Sequence, residues 1–354
     1  MLALFFHYLQ ATFKPTRGDY TMRIKNTQSI TSGLMSGAQK ISSLALWNHQ
    51  FCELDNMVDR LLRFHGTKPS AMSLIAREGA GKTHFALKKQ EQFSKYVIDY
   101  GDYTTMPVLI TRAPKQSTVR TFVERILYEL GDIKPSHGSA DEKEKRLLAL
   151  LRKREVKLIV IDEIHDFLPK TSRGRPSTAL AWLKGFMDET LIPILFMGTE
   201  RAGLLHVIDK ELASRIRYSA TLASLPYGNS DYSKFDFAEM ASAFAEHLAC
   251  PLKQLMFVQF DDEKPIFSNM NLLDRFFVAT DGVPRGLRDI FLEINLEMED
   301  DADFTPNLES LSKIYKRMTS MNDFIDFDPF GQGNLTKVQN YINKNCGGEN
   351  NAAA

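Results

Sequence analysis

Ten residues, AREGAGKTHF at 76–85, lie between an apolar run, SAMSLIA, and a segment with helical spacing, GKTHFALKKQEQFSKYV. A strand that ends in a glycine-rich turn and opens a helix aims successive backbone N–H groups at one point. The positive end of the helix dipole stands behind them. Such a turn binds phosphate and belongs at the carboxyl edge of a mainly parallel sheet. The P-loop pattern is Gly, four residues, then Gly-Lys-Thr or Gly-Lys-Ser. Gly81, Lys82 and Thr83 close it here, and Ala76 stands where its first glycine would be. Gly79 and Gly81 supply the turn. The expected cofactor-binding residues are therefore Ala76, Arg77, Glu78, Gly79, Ala80, Gly81, Lys82, Thr83 and His84. Lys82 is expected on the β- and γ-phosphates of ATP, and the Thr83 hydroxyl on Mg²⁺.

The segments that follow keep alternating between strand and helix. MPVLIT, KLIVID, IPILFMGT and a short run near 217–222 read as strands, and TVRTFVERILYELG, DEKEKRLLALLRKREV and STALAWLKGFMDET as helices. This predicts an α/β fold, a parallel sheet with helices on both faces. The strand KLIVID ends in Asp162-Glu163. Asp162 is placed to hold Mg²⁺ and Glu163 to accept a proton from attacking water as a general base. His165 reads as a packed or supporting histidine, not a metal ligand. Thr199, at the tip of IPILFMGT, is assigned to orient the lytic water, with a turn threonine as the plainer alternative. Charge developing on the γ-phosphate calls for a guanidinium. Arg285 in GVPRGLRDIF is the candidate within one chain, and Arg215 in LASRIRY the candidate from a neighbouring subunit.

After Pro226 four segments read as helices, with no strand of comparable strength: FDFAEMASAFAEHLAC, NMNLLDRFFVATDG, VPRGLRDIFLEINLEMED and LESLSKIYKRMTS. The expected organisation is a weakly ordered arm (1–45), an α/β nucleotide-binding domain (46–225), a helical lid domain (226–320) and a tail (321–354). In the tail, NDFIDFDPFG alternates acids with aromatics. It reads as a docking segment or as a strand or coil packed on the lid. MLALFFHYLQ is too short to span a bilayer and lacks a signal peptide's charged start. It reads as an arm or as sequence ahead of a start at Met22. Three scattered cysteines, Cys52, Cys250 and Cys346, fit a reducing compartment. A cytoplasmic protein without a membrane span is expected.

These elements in this order resemble an AAA+ ATPase, and most closely the TniB/TnsC transposition regulators. The resemblance runs from about Leu46 to Ile290. It is carried by REGAGKT, PVLITRAPKQST, LYELG, LIVIDEIHDFL, IPILFMGT, ELASRI and GVPRGL. The resemblance implies ATP bound between subunits and a homo-oligomeric ring or filament around duplex DNA. It also implies recruitment of a transposase and disassembly on hydrolysis, with a target-selecting protein or RNA-guided complex as a further partner.

Lys+Arg and Asp+Glu balance at 44 each, so any DNA contact must be a local patch. Arg112, Lys115 and Arg120 form one candidate, and Lys170, Arg173 and Arg175 a second. Contacts of that kind go to phosphates and carry little sequence information. Two other readings use the same nucleotide site. A replication initiator or helicase loader shares the Gly282–Arg285 signature, but residues 321–354 are too few for the DNA-reading winged helix expected of it. A signalling or defence ATPase would bind protein and no nucleic acid.

Overall fold

The computed structural model describes residues 37–44, 48–115, 118–169, 177–230, 232–261, 264–301, 303–318 and 325–346. In chain order, α1 (Gly37–Ser43) and α2 (His49–Leu62) precede β1 (Ala71–Ala76). Then come α3 (Lys82–Gln92), β2 (Val108–Arg112), α4 (Val119–Glu129), α5 (Ala140–Lys153) and β3 (Leu158–Asp162). The α/β part ends with α6 (Thr178–Thr190), β4 (Ile194–Gly198), α7 (Leu205–Ile208), α8 (Lys210–Arg215) and β5 (Ile216–Leu222).

The five strands are all parallel, in the order β2-β3-β4-β1-β5. Residues 158–161 of KLIVID are all apolar because both sheet faces are covered. Leu158 and Val160 join Phe51, Leu54, Val58 and Phe85 of α2 and α3 on one face. Ile159 and Ile161 join Phe122, Ile126, Leu147 and Leu183 of α4, α5 and α6 on the other. Side-chain caps fix where the second set begins. Thr118 and Ser139 close capping boxes at α4 and α5, and Ser177 caps α6. Helix α3 stops at Gln92, short of the expected Val97, and passes into a 3₁₀ turn at Ser94–Tyr96.

The second part contains α9 (Phe235–Glu246), β6 (Val258–Asp261), β7 (Lys264–Phe267), α10 (Met270–Thr280), α11 (Pro284–Asp300), α12 (Leu308–Arg317) and α13 (Leu335–Cys346). The antiparallel β6–β7 pair is an addition to the expected all-helical unit. Its four-residue strands are too short to show a period, and Pro265 inside β7 argues against a strand. Helix α11 ends at Asp300 as its pattern suggests, while α9, α10 and α12 end a few residues early. Helix α10 is stopped by Asp281 and Gly282, both left-handed (φ 50° and 68°).

One core unites this part with residues from both ends of the described chain: Ile41 of α1, Phe330, and Val338 and Ile342 of α13. The region around 325–331 therefore packs on the helices, the second of the two readings of the acidic-aromatic segment. Phe330 meets the rings of Phe276 and Tyr315, and buried Arg275 donates to the carbonyls of Pro329 and Gly331. No helix among the described residues is long and apolar enough to cross a membrane.

Candidate nucleotide site

Parallel pairing brings the carboxyl ends of all five strands to one edge. Because β4 lies between β1 and β3, its tip separates the phosphate loop from the acidic pair. The register aligns Ile75 of β1 with Gly198 of β4, and Arg112 of β2 with Asp162 of β3.

The loop after β1 takes glycines where backbone and space demand them. Gly79 and Gly81 have φ of 79° and 105°. A Cβ on Gly79 would stand 2.9 Å from Val283 Cγ1 and 3.0 Å from Arg285 Cβ; one on Gly81 would stand 3.1 Å from Phe51 Cζ. Ala76 is not among the residues of positive φ, which is why alanine serves at the pattern's first position. Lys82 is 7% exposed and its Nζ turns back on the loop, donating to Ala76 O (3.0 Å) and Arg77 O (3.5 Å). No carboxylate among the described residues pairs with it. A buried cation without a counter-charge is costly, and an anion in the loop relieves that cost. His84 follows the loop in the first turn of α3. Its ring stacks on Phe51, and its buried Nε2 has no hydrogen-bond partner among the described residues. Burial, then the Lys88 charge, holds its pKa below the ordinary histidine value.

Thr83 Oγ1 donates to Asp162 Oδ2 at 3.0 Å, which joins the loop to the tip of β3. Asp162 Oδ1 accepts the Glu163 amide at 2.9 Å. Glu163 itself is left-handed (φ 55°, ψ 37°), strained for a residue with a Cβ. Hydroxyl and carboxylate oxygens are the hard donors Mg²⁺ prefers, and that ion takes one or two carboxylates and completes its shell with water and phosphate oxygens. No group of three His, Cys, Asp or Glu among the described residues could cage a metal, so the Thr83–Asp162 pair fits a phosphate-bound ion and not an all-protein site. Glu163 Oε2 lies 3.1 Å from His165 Nδ1, and the Thr199 amide lies 3.4 Å from the same nitrogen. The sequence offers no signal for these two contacts beyond the supporting role read for His165.

The helical part meets the loop directly. The Arg285 amide donates to Gly79 O at 3.3 Å, and its exposed guanidinium has no partner among the described residues. Arg77 forms an ion pair with Asp281, and Tyr341 of α13 donates to the same carboxylate at 2.8 Å. That three-way contact is not legible in the sequence. Arg215 lies elsewhere. It precedes β5, whose first residue aligns with Ala71 at the start of β1, at the edge of the sheet opposite the loop. Its guanidinium holds Asp188 through Nε and Nη2 (3.1 and 2.9 Å) and keeps that carboxyl's pKa below the usual range. Of the basic residues, Arg112 is exposed at the last position of β2 and Lys115 just beyond it, while Arg120 pairs with Glu124 at 2.9 Å. Lys170, Arg173 and Arg175 lie outside the described residues.

A family model described as bacterial TniB protein matches residues 50–222. Among curated proteins none matches the chain. Solved structures with a similar outline include the ORC2 protein of Aeropyrum pernix in ADPNP–ADP complexes (14% identity, 83% of this chain and 84% of that one, TM-score 0.47). Cdc6p of Pyrobaculum aerophilum is 15% identical over 83% of this chain and 84% of its own, with a TM-score of 0.48. Drosophila ORC bound to DNA is 13% identical over 90% of this chain and 74% of its own, with the same TM-score of 0.48. Superpositions this loose carry no argument about activity. The family match falls on the stretch that carries the parallel sheet and the phosphate loop: residues 50–222, just under half of the chain, are similar to the bacterial TniB protein family.

Proposed function

We propose that this chain is an ATP-dependent, DNA-binding regulator of transposition that oligomerises on duplex DNA, recruits a transposase and leaves the DNA when ATP is hydrolysed. The observation that carries the ATPase reading is the 3.0 Å contact between Thr83 and Asp162, with Glu163 next in sequence and, on the loop, a buried Lys82 that no carboxylate among the described residues pairs. The family match at residues 50–222 and the resemblance to transposition regulators support the DNA-directed role.

In this reading Lys82 and the loop amides bind the β- and γ-phosphates, and Thr83 and Asp162 hold Mg²⁺. The ion, when bound, offsets negative charge on the phosphates. Glu163 takes a proton from the attacking water as the water oxygen bonds to the γ-phosphorus. The bond to the β–γ bridging oxygen breaks, and ADP leaves with its electron pair. Thr199 orients that water. Arg285 stabilises the developing charge in cis. Arg215 does so from a neighbouring subunit, its guanidinium already aimed by Asp188. Arg112 and Lys115, exposed beside the catalytic edge, contact DNA phosphates, so binding weakens with salt.

Electron microscopy of the protein with duplex DNA, with and without a slowly hydrolysed ATP analogue, tests the whole reading. Ordered oligomers on DNA that require nucleotide are expected, and Lys82→Ala should lose both nucleotide and oligomer. Glu163→Gln should bind ATP and stay on DNA; Lys115→Ala should lose DNA affinity and keep nucleotide affinity. Oligomers that form without nucleotide, or ATP binding retained by Lys82→Ala, would overturn it.

A further inference from the structure

Five cationic side chains are buried among the described residues: Lys82, Lys89, Lys143, Lys234 and Arg275. Three of them meet carboxylates at 2.6 Å, Lys89 at Asp55 and Asp59, Lys143 at Glu124 and Lys234 at Asp274. Lys82 lies on the phosphate loop, where nucleotide phosphate is its proposed counter-charge. Arg275 is left. It is 5% exposed, and no carboxylate among the described residues pairs with it. The charge of Asp328 reaches it, but that carboxylate is already engaged by the Ser312 hydroxyl, the Lys316 ammonium and the Phe330 amide.

The Arg275 guanidinium spends only one nitrogen on the protein. Nη1 donates to the carbonyls of Pro329 and Gly331, while Nε and Nη2 have no acceptor among the described residues. Those two nitrogens form the side of a guanidinium that grips a carboxylate with two parallel bonds, as Arg215 grips Asp188. Arg275 also lines a cavity of about 370 Å³. The starts of three helices bound it, with Leu272 from α10, Leu308 and Leu311 from α12 and Leu335 from α13 as apolar walls. Asn271 lines it one turn before Arg275, on the same face of α10, and no side chain caps that helix. A charge buried without a counter-charge is costly, so an anion in this cavity relieves more than one on the surface does.

We propose that this cavity is a binding site for a small organic acid, its carboxylate on Nε and Nη2 of Arg275 and its apolar body among the four leucines. An inorganic anion leaves the leucines uncovered, and a neutral apolar molecule leaves the charge unanswered. A peptide needs a groove or a strand edge to lie along, and helix starts closing round a pocket of this size supply neither. The carbonyls that Arg275 holds belong to the segment entering α13, so a bound acid ties the tail helix more firmly to α10. The site stands apart from the phosphate loop and does not depend on the ATPase reading.

Thermal unfolding and calorimetry of the full chain at fixed ionic strength test it, with phenylacetate, phenylethanol, inorganic phosphate and the capped peptide acetyl-Leu-Asp-Leu-amide as probes. Leu308→Trp, which puts a larger side chain into the cavity and leaves Arg275 in place, is the control. Anion binding at the phosphate loop is common to both proteins and drops out of the difference. Phenylacetate at about 10 mM should raise the Tm of the parent by about 1–3 °C, for a Kd of about 1 mM, and Leu308→Trp should lose that rise. Phenylethanol and phosphate should bind at least about tenfold more weakly, because each answers only half of the site. Arg275→Gln should weaken phenylacetate about tenfold and leave phenylethanol within about twofold. Bound phenylacetate should also slow amide exchange along α13. A Tm shift no larger than chloride gives, a shift that persists in Leu308→Trp, or phenylethanol or phosphate matching phenylacetate, overturns the proposal. A capped peptide that binds more tightly than phenylacetate overturns the free acid as occupant in favour of a protein segment. Should either variant fail to fold, the order among the four probes on the parent and the exchange along α13 decide the matter.

Discussion

The α/β part and the helical part of this molecule are ordered by different side chains. In the sheet, strands apolar on both faces carry the long-range contacts, and polar groups with chemistry to do gather at the strand tips. Outside the phosphate loop, the buried lysines Lys89 and Lys143 of that part reach out to carboxylates at the rim: Asp55, Asp59 and Glu124 are all more than a fifth exposed. In the helical part both partners are inside. Lys234 and Asp274, each 9% exposed, pair at 2.6 Å, and the Tyr227 hydroxyl donates to the same carboxylate at 2.6 Å. Asn295, wholly buried, accepts the Ala249 amide and donates to Glu299, and Gly37 of α1 fits against it only because it lacks a Cβ. An apolar sheet leaves its edge free to be specialised. A helical unit tied by buried polar pairs depends on the identity of each partner.

The comparison predicts an ordering of mutational costs. Asp274→Ala leaves Lys234 as a buried, uncompensated charge and takes the acceptor from Tyr227. It should cost about 3–5 kcal/mol, read from chemical denaturation, while the paired replacement Lys234→Met with Asp274→Leu should cost far less. A single change within about 1 kcal/mol of the parent would break the comparison. In the sheet, Ile159→Ala removes only packing and should cost about 2–4 kcal/mol, with nucleotide affinity kept because the strand tip is untouched. Loss of nucleotide binding in that variant would show that the core and the edge are less separate than the structure implies.

The same difference decides how much of each part is legible in the amino-acid sequence. β1, β3 and β4 announce themselves as apolar runs, and Gly79–Thr83 and Asp162–Glu163 are close to their elements in sequence. Their meeting follows from the parallel sheet alone. Contacts between residues far apart in sequence leave no such trace. Nothing near Arg77 points to Asp281, 204 residues on, or to Tyr341 beyond it. The β6–β7 pair escapes because its strands are shorter than any period. Helix α13 reads as tail because its apolar residues are few, although Val338 and Ile342 are almost completely buried. Arg215 follows the α/β motifs closely in sequence, yet within its own chain it sits at the far edge of the sheet from the loop.

Tyr341 gives the smaller mechanical test of how the two parts are joined. Burial first, and then its bond to Asp281, pushes its hydroxyl pKa up, so it remains a donor to that carboxylate at any ordinary pH. Tyr341→Phe keeps the ring and removes the donor. It should cost about 1 kcal/mol and raise amide exchange along α13. Arg77→Ala removes the other partner, but the pair is half exposed and should contribute at most about 1 kcal/mol. If Tyr341→Phe leaves exchange along α13 unchanged, the helix is held by its apolar face alone.

The smallest effect expected is on pH dependence, and it belongs to the α/β part. His65 and His84 both have pKa values below the ordinary histidine value of 6.5, burial being the main cause in each; nearby positive charge adds to it, from Lys157 at His65 and from Lys88 at His84, and Glu91 opposes it at His84. Folded, both rings resist protonation; unfolded, both take a proton as pH drops through about 6.5. The unfolded chain therefore binds more protons in the window below about 6.5, and stability falls with falling pH there, with no contribution from either ring above it. Tm should be level from pH 8 to about 7 and decline by a few degrees toward pH 5.5. His65→Gln and His84→Gln together should flatten that slope, since glutamine takes no proton in either state. A slope unchanged by both substitutions would mean that the sensitivity comes from carboxylates and not from these two rings.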